Sequence, residues 1–236
     1  MPQLLSSKNL LLSTRPLTVG VASRPEDLTD ILALSSEDRA GTCDLVELRL
    51  DLLKCDTTEL RQVIPMLELP VLLTARHPAE GGQGTEAASG RIALLEPLLD
   101  LATLIDVELR SVPDMRALIK KAQGLGVQVV GSFHDFSATP GDEILSGAID
   151  MACTAGLNGV KFATFLNSAE DLIRLMKLVT GHRRLPMSVM GMGTLGRVSR
   201  LTLAKLGSLL NYGYLGQSNA PGQWPAETLK DLLADL

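Results

Sequence analysis

The sequence predicts an α/β fold: eight parallel strands alternating with helices and closing into a single (β/α)8 TIM barrel over residues 1–236. Three observations predict it. Short apolar, β-branched runs recur along the chain, helix-period segments fill the intervals between them, and 236 residues with 45% hydrophobic content suit one large domain. A doubly wound open sheet uses the same alternation and is the competing architecture.

The runs are LTVGVAS (17–23), LVELRLDLL (45–53), PVLLTAR (70–76), TLIDVEL (103–109), VQVVGSF (127–133), NGVKFAT (158–164), PMSVMGM (186–192) and LLNYGYL (209–215), which makes eight candidate strands. Between them, segments such as PDMRALIKKAQGLG and SAEDLIRLMKLVTG carry helix-period apolar positions, acidic starts and glycine stops. No linker or low-complexity tract divides the chain. The glycine-rich AEGGQGTEAASG (79–90) after the third strand reads as a mobile loop that could serve as a lid.

Composition excludes several classes of function. A net charge of −5, a pI near 5.3 and the lack of a basic run give no footprint for nucleic acid, so a small molecule is the expected partner. Cys43, Cys55 and Cys153 are odd in number and scattered without C-x-x-C spacing; they read as reduced core thiols. The opening MPQLLSSKNLLLSTRP lacks the n-region and cleavage site of a signal peptide. No apolar run approaches the roughly 20 residues of a membrane helix, and the cytoplasm is the expected location. HExxH, clustered Cys/His, carboxylate-rich loops and GxSxG are all missing, so neither metal nor cofactor is expected.

Charges inside strands carry the functional signal, because both faces of a barrel strand are covered and a buried charge needs a partner or a role. In LVELRLDLL, a period of two puts Val46, Leu48, Leu50 and Leu52 on one face and Glu47, Arg49 and Asp51 on the other. A solvated face of an antiparallel sheet would show the same alternation. Arg76 follows LPVLLTA, His134 follows VQVVGSF, and Lys161 lies between Val160 and Phe162, all where barrel enzymes place their chemistry. Burial disfavours an ammonium, and a desolvated lysine is a neutral amine able to attack a carbonyl, unlike the surface-type Lys120 and Lys121. An ion-paired or snorkelling structural lysine is the alternative. His134, one strand before Lys161, suits a proton shuttle, whereas His77 before a proline and His182 in GHRR read as local hydrogen-bonding residues.

Gly191, Gly193 and Gly196 fit the G-x-G-x-x-G of dinucleotide-binding turns, but NYGYLGQ about 20 residues on lacks the acid that would hold a ribose. A phosphate site on this late loop is the stronger rival.

Taken together, VELRLD (46–51), TARHPAEGG (74–82), SFHDF (132–136), VKFAT (160–164), VMGMGTLGRVSR (189–200) and APGQ (220–223) resemble type I 3-dehydroquinate dehydratase across nearly the whole chain. The resemblance implies a (β/α)8 homodimer that dehydrates 3-dehydroquinate to 3-dehydroshikimate in the shikimate route, without metal or cofactor. It implies that Lys161 forms an imine with the substrate ketone, that His134 moves the protons and that Glu80 orients His134. Arg200 would clamp the substrate carboxylate, while Glu47, Arg49 and Arg76 would hold ring hydroxyls. Gln223 and Ala220 of the last loop, Met190, Met192 and Tyr212 would complete the pocket. Asn219 stands where better-known members have serine. Asp106 and Glu108 also fit the family, with no chemical role assigned.

Two rivals from other classes stand beside this reading. Class I aldolases and transaldolases also place an imine-forming lysine in such a barrel, acting on sugar phosphates, and an inactive barrel could persist as a binding module. An enone detectable by its ultraviolet absorbance separates dehydration from both.

Overall fold

The β-branched and leucine-rich runs form strands that are buried on both faces. In the computed structural model, which describes residues 10–182 and 184–235, they are β1 (Leu17–Ala22), β2 (Leu45–Arg49), β3 (Val71–Thr74), β4 (Leu104–Glu108), β5 (Gln128–Asp135), β6 (Gly159–Phe165), β7 (Met187–Met192) and β8 (Leu210–Tyr214). All pair in parallel in the order β7-β6-β5-β4-β3-β2-β1-β8. Two serines bring the ends of this sheet together. Leu209 N donates to Met187 O (2.8 Å), Leu210 N to Ser188 Oγ (3.0 Å) and Val189 N to Ser208 Oγ (2.8 Å). The sheet is therefore a nearly closed barrel and not the open, doubly wound alternative.

The helices are α1 (Pro25–Ala33), α2 (Ser36–Thr42), α3 (Leu50–Leu53), α4 (Thr57–Met66), α5 (Ala88–Leu95), α6 (Arg116–Gly124), α7 (Asp142–Thr154), α8 (Ala169–Gly181), α9 (Gly196–Lys205) and α10 (Ala226–Asp235). Helix α8 starts as its sequence predicts: Ser168 Oγ accepts from Asp171 N and Asp171 Oδ2 accepts from Ser168 N, a reciprocal cap. Helix α6 departs from the expected acidic start, because Asp114 falls before its first turn. His182 caps the end of α8 with its backbone N–H on Leu178 O, in keeping with a local role.

One boundary needs correction. The second strand does not run to residue 53 but stops at Arg49, and residues 50–53 make the single turn of α3, ending on Lys54 with φ 52°. Asp51 therefore leaves the row of strand charges. The turn swings its carboxylate back onto Arg49 Nε (3.0 Å) and Nη2 (2.8 Å) and under the N–H groups of Arg76 and Gln83.

Inside the barrel, Leu17, Val19, Leu45, Leu72, Leu104, Val130 and Leu210 pack into one apolar cluster, closed at the N-terminal end by Leu10 and Leu11 of a 3-10 turn. A second, larger cluster lies between strands and helices. Cys43 is buried while Cys55 and Cys153 are half-buried, and all three thiols are free. Among the described residues no helix is long and apolar enough to cross a membrane. The signal-peptide reading falls largely on residues 1–9, which lie outside the described residues.

Candidate active site

Strand pairing stacks the inward residues in rows. Ser132, Lys161 and Ser188 share one row, and His134, Ala163 and Met190 share the row two residues higher. The small Ala163 leaves room above Lys161, between the imidazole and the methionine. The space opens at the C-terminal ends of the strands as a cavity of about 520 Å³, including its mouth.

Every residue singled out for the site lines this cavity. Lys161, His134, Glu80, Glu47, Arg49, Arg76, Met190, Met192, Arg200, Tyr212, Asn219, Ala220 and Gln223 meet there, joined by Val21, Gly81, Phe136 and Ala163.

Lys161 is 4% exposed, and its environment rules out the snorkelling alternative. Its Nζ donates to Asp106 Oδ2 at 3.1 Å, stands 4.0 Å from Glu47 Oε1 and sits 4.1 Å from the centre of the Tyr212 ring. Burial pushes its pKa down from the ordinary lysine value, and the two carboxylates only partly offset that. Glu47 is shared, since Thr74 Oγ1 donates to the same Oε1 at 2.7 Å. Tyr212 remains a neutral phenol, as burial and the charges of Glu47 and Asp106 push its pKa well up.

Asp106 and Glu108, without an assigned role in the sequence, form the floor of the site. Arg76 grips Asp106 with both Nη atoms (2.8 Å each), and its Nη1 also meets Glu108 Oε1 (2.9 Å) and Ser132 Oγ (2.6 Å). Burial alone would raise the Asp106 carboxyl, but Arg76 and Lys161 hold it far below the usual carboxylate range. Asp106 is thus a permanent anion that orients the lysine rather than a base that takes its proton. Arg76 is largely committed to this internal network. Only its Nε lacks a protein partner among the described residues, which narrows its expected part in holding a ring hydroxyl.

His134 and Glu80 form a second unit. Glu80 Oε2 lies 2.9 Å from both the backbone N and the ring Nδ1 of His134, and the other ring nitrogen, Nε2, has no protein partner among the described residues. A short 3-10 turn over Pro78–Glu80 presents the carboxylate, capped by His77, whose Nδ1 accepts from Ala79 N. Burial, with Arg76 and Lys161 as neighbouring cations, lowers the His134 pKa well below the ordinary histidine value. Burial raises Glu80 to about 7 against the pull of Arg76. Nδ1 and Oε2 are close enough to share a hydrogen bond, which fixes the ring and turns Nε2 to the cavity.

Arg200 differs from the other two arginines that line the cavity, Arg49 and Arg76, which are ion-paired. It is 2% exposed, its Nε and Nη1 bond only to the carbonyls of Gly222 (3.1 Å) and Tyr212 (3.0 Å), and no carboxylate pairs with it among the described residues. Burial lowers its pKa to about 10, which still leaves it charged at neutral pH. A buried cation without a counter-ion is costly, and this one opens onto the cavity, where an anionic group could offset its charge. Gln223 is fixed alongside: its Oε1 accepts from Asn219 N (3.0 Å) and faces Ser218 Oγ (3.3 Å), which leaves its NH2 group free to donate. Trp224 stacks on Arg197 and donates to its carbonyl, fastening this last loop to α9.

The G-x-G-x-x-G segment is used for packing. Gly193 has φ 87° and its N–H is taken by Pro221 O, while a Cβ on Gly196 would lie 3.0 Å from Gly222 Cα. These glycines seat the last loop against α9, with the N–H groups of Gly193 and Gly196 both engaged by backbone carbonyls. Among the described residues no three His, Cys, Asp or Glu side chains gather to hold a metal ion.

The site residues absent from the sequence reading are Thr74, Ser132, Ala163, Val21, Gly81 and Phe136. The period-two pattern held a signal for three of them, since Thr74 precedes Arg76 by two, Ser132 precedes His134 by two and Ala163 follows Lys161 by two.

Comparison with known proteins agrees with this geometry. The family model described as Type I 3-dehydroquinase matches residues 21–236. A 3-dehydroquinate dehydratase of Methanocaldococcus jannaschii is 30% identical over 217 residues, 89% of this chain and 96% of the relative. Another, from Methanosarcina barkeri, is 34% identical over 215 residues, 86% of this chain and 89% of the relative. Among solved structures, the 3-dehydroquinate dehydratase of Geobacillus kaustophilus superposes with a TM-score of 0.83 at 26% identity, covering 95% of this chain and 92% of that one. These matches favour dehydration over the aldolase and inactive-barrel readings. A lysine cavity in a nearly closed barrel, matched by a family model from strand β1 to the end of the chain, makes this protein a member of the type I 3-dehydroquinase family, hydro-lyases that dehydrate 3-dehydroquinate in the shikimate pathway.

Proposed function

We propose that this chain dehydrates 3-dehydroquinate through a covalent imine on Lys161, with His134 carrying both protons and Arg200 seating the carboxylate. The observation that carries the reading is the separation of two units in one cavity: a buried lysine amine on β6 oriented by Asp106, and an imidazole on β5 whose Nδ1 is already engaged by Glu80.

The substrate carboxylate enters as the counter-ion of Arg200, a contact suited to a planar guanidinium, with the amide of Gln223 beside it. Arg49 Nη1 and the free oxygen of Glu47 remain available for ring hydroxyls, with Asn219 and Ala220 at the rim. Neutral Lys161 attacks the C3 ketone, the carbinolamine loses its hydroxyl as water, and the iminium acidifies the C2 hydrogens. His134 Nε2 removes one of them. The electron pair forms the C1–C2 double bond as the C1 hydroxyl leaves with the proton from His134, and hydrolysis of the imine returns the lysine and releases 3-dehydroshikimate. The net change is loss of one water. Met190, Met192 and the face of Tyr212 provide the apolar walls that keep the amine desolvated. The reading includes a single domain over residues 1–236, a homodimer, a cytoplasmic location consistent with three free thiols, and no metal or cofactor.

The His134→Ala variant tests the division of labour. It should still give a borohydride-trapped adduct with 3-dehydroquinate while enone formation, followed by ultraviolet absorbance, falls by about 10²- to 10⁴-fold. Wild-type turnover in that variant would contradict the role given to His134.

A further inference from the structure

Arg91, on α5, is a buried cation that the proposed chemistry does not use. It is 2% exposed, forms no ion pair within 4.0 Å among the described residues, and its Nε has no hydrogen-bond partner there. Such a group is costly to bury, and its remaining contacts have a definite direction. Nη1 donates to the carbonyls of Glu86 (2.7 Å) and Thr85 (3.4 Å), at the C-terminal end of the loop that carries Glu80. Nη2 donates to Ser111 Oγ (2.7 Å), and Ser111 Oγ donates to Glu108 Oε2 (3.5 Å). The other oxygen of Glu108 accepts from Arg76 Nη1 and from the backbone N–H of His77, both at 2.9 Å.

The loop makes contacts with the barrel at both ends. At its N-terminal end, a Cβ on Gly82 would lie 2.0 Å from Arg76 O, so the backbone rests directly on the strand exit. At its C-terminal end, a Cβ on Gly90 would lie 2.2 Å from Thr85 Cγ2, and the guanidinium of Arg91 closes over the same turn. Glu80 lies between His77, whose N–H is held by Glu108, and the Thr85–Glu86 turn held by Arg91, and its Oε2 alone takes both the backbone N and the ring Nδ1 of His134.

We propose that Arg91 is a positioning residue: through Ser111 and Glu108 it locks the Glu80 loop to the Arg76 network, and so keeps the Glu80 carboxylate on His134 Nδ1. This rests on the dehydratase mechanism above. Arg91 touches no substrate. Its loss acts on the proton shuttle and leaves the carboxylate site at Arg200 and the nucleophile Lys161 in place.

The test uses the full chain with three variants. Arg91→Met removes charge and fork, Arg91→Lys keeps the charge without the fork, and Ser111→Ala cuts the link while keeping both charges. In all three, kcat should fall by about tenfold or more, since misplacement of about 1 Å can cost a hundredfold, while KM stays within about threefold. The acid limb of the kcat profile should move to lower pH in all three variants, most in Arg91→Met, because an imidazole that loses its Glu80 partner is harder to protonate. Borohydride trapping on Lys161 should be retained throughout. The inference is overturned if Arg91→Lys and Ser111→Ala keep kcat within about twofold of wild type. It is also overturned if kcat falls only in proportion to the folded fraction with the pH limb unmoved in Arg91→Met. Failure of the wild-type enzyme to trap on Lys161 would instead count against the imine mechanism.

Discussion

The two ends of the barrel interior are made by the same strands and differ in almost everything else. Leu45, Leu72, Leu104, Val130 and Gly159 face inward near the N-terminal end, and two residues further on the same strands present Glu47, Thr74, Asp106, Ser132 and Lys161. A step of about 6.6 Å along each strand, two residues of rise, replaces apolar packing with charge. The lower half holds the sheet together. The upper half holds charges in tension, with Lys161 and Arg200 short of compensation and Glu80 pushed up to about 7. Substitutions should therefore divide by height along a strand more than by which strand carries them.

The largest expected effect is at the top of β6. Lys161→Met should abolish turnover, at least about a thousandfold, and lower the melting temperature only modestly, because Asp106 loses its lysine partner but keeps Arg76 and Ser132. A loss of stability as large as that of a core truncation would break the division. At the bottom, Leu104→Ala should cost about 2–5 kcal/mol of unfolding free energy by denaturant titration, with kcat of the folded enzyme within about twofold. Next comes Arg200→Lys, which should raise KM about thirtyfold, from the roughly 2 kcal/mol of a charge-assisted contact, with kcat little altered. A kcat loss without a KM change would move Arg200 out of substrate binding.

The smallest effect sharpens the comparison through pH. Glu80 takes up a proton near 7 and then ceases to hold the Nδ1–H of His134, so kcat should fall as pH drops below about 7, and Glu80→Gln should move that limb to lower pH. Stability should show the converse. Folding raises the Glu80 pKa from 4.5 to about 7, so its favourable contribution is present below pH 4.5 and is lost as pH rises to 7. Glu80→Gln should accordingly raise the melting temperature at pH 8 and leave it nearly unchanged at pH 4. Equal shifts at both pH values would contradict the buried, strained carboxylate.

Much of this was legible in the chain because barrel strands have no neutral place for a charge. Glu47, Arg49, Arg76, His134 and Lys161 stood out against apolar neighbours, and the repeated strand and helix periods pointed to eight units. The turn after Arg49 was not legible, since LRLDLL continues the strand alternation and only the tertiary pull of Arg49, Arg76 and Gln83 on Asp51 ends it. Thr74 and Ser132 look like ordinary strand residues, and their value comes from Glu47 and Asp106, on strands far off in sequence. The contacts of residues 79–90 were hidden for the same reason, since the strand exit at Arg76 that Gly82 packs on lies outside the segment. The tight commitment of Arg76 to Asp106 and Glu108 is likewise a property of packing.

The most direct test of a barrel whose upper half is built around a reactive amine is the mass of one peptide. Wild-type protein reduced with borohydride in the presence of 3-dehydroquinate, then digested and mapped, should carry the reduced adduct on Lys161 and on no other lysine. An active enzyme that leaves Lys161 unmodified under those conditions would contradict the account.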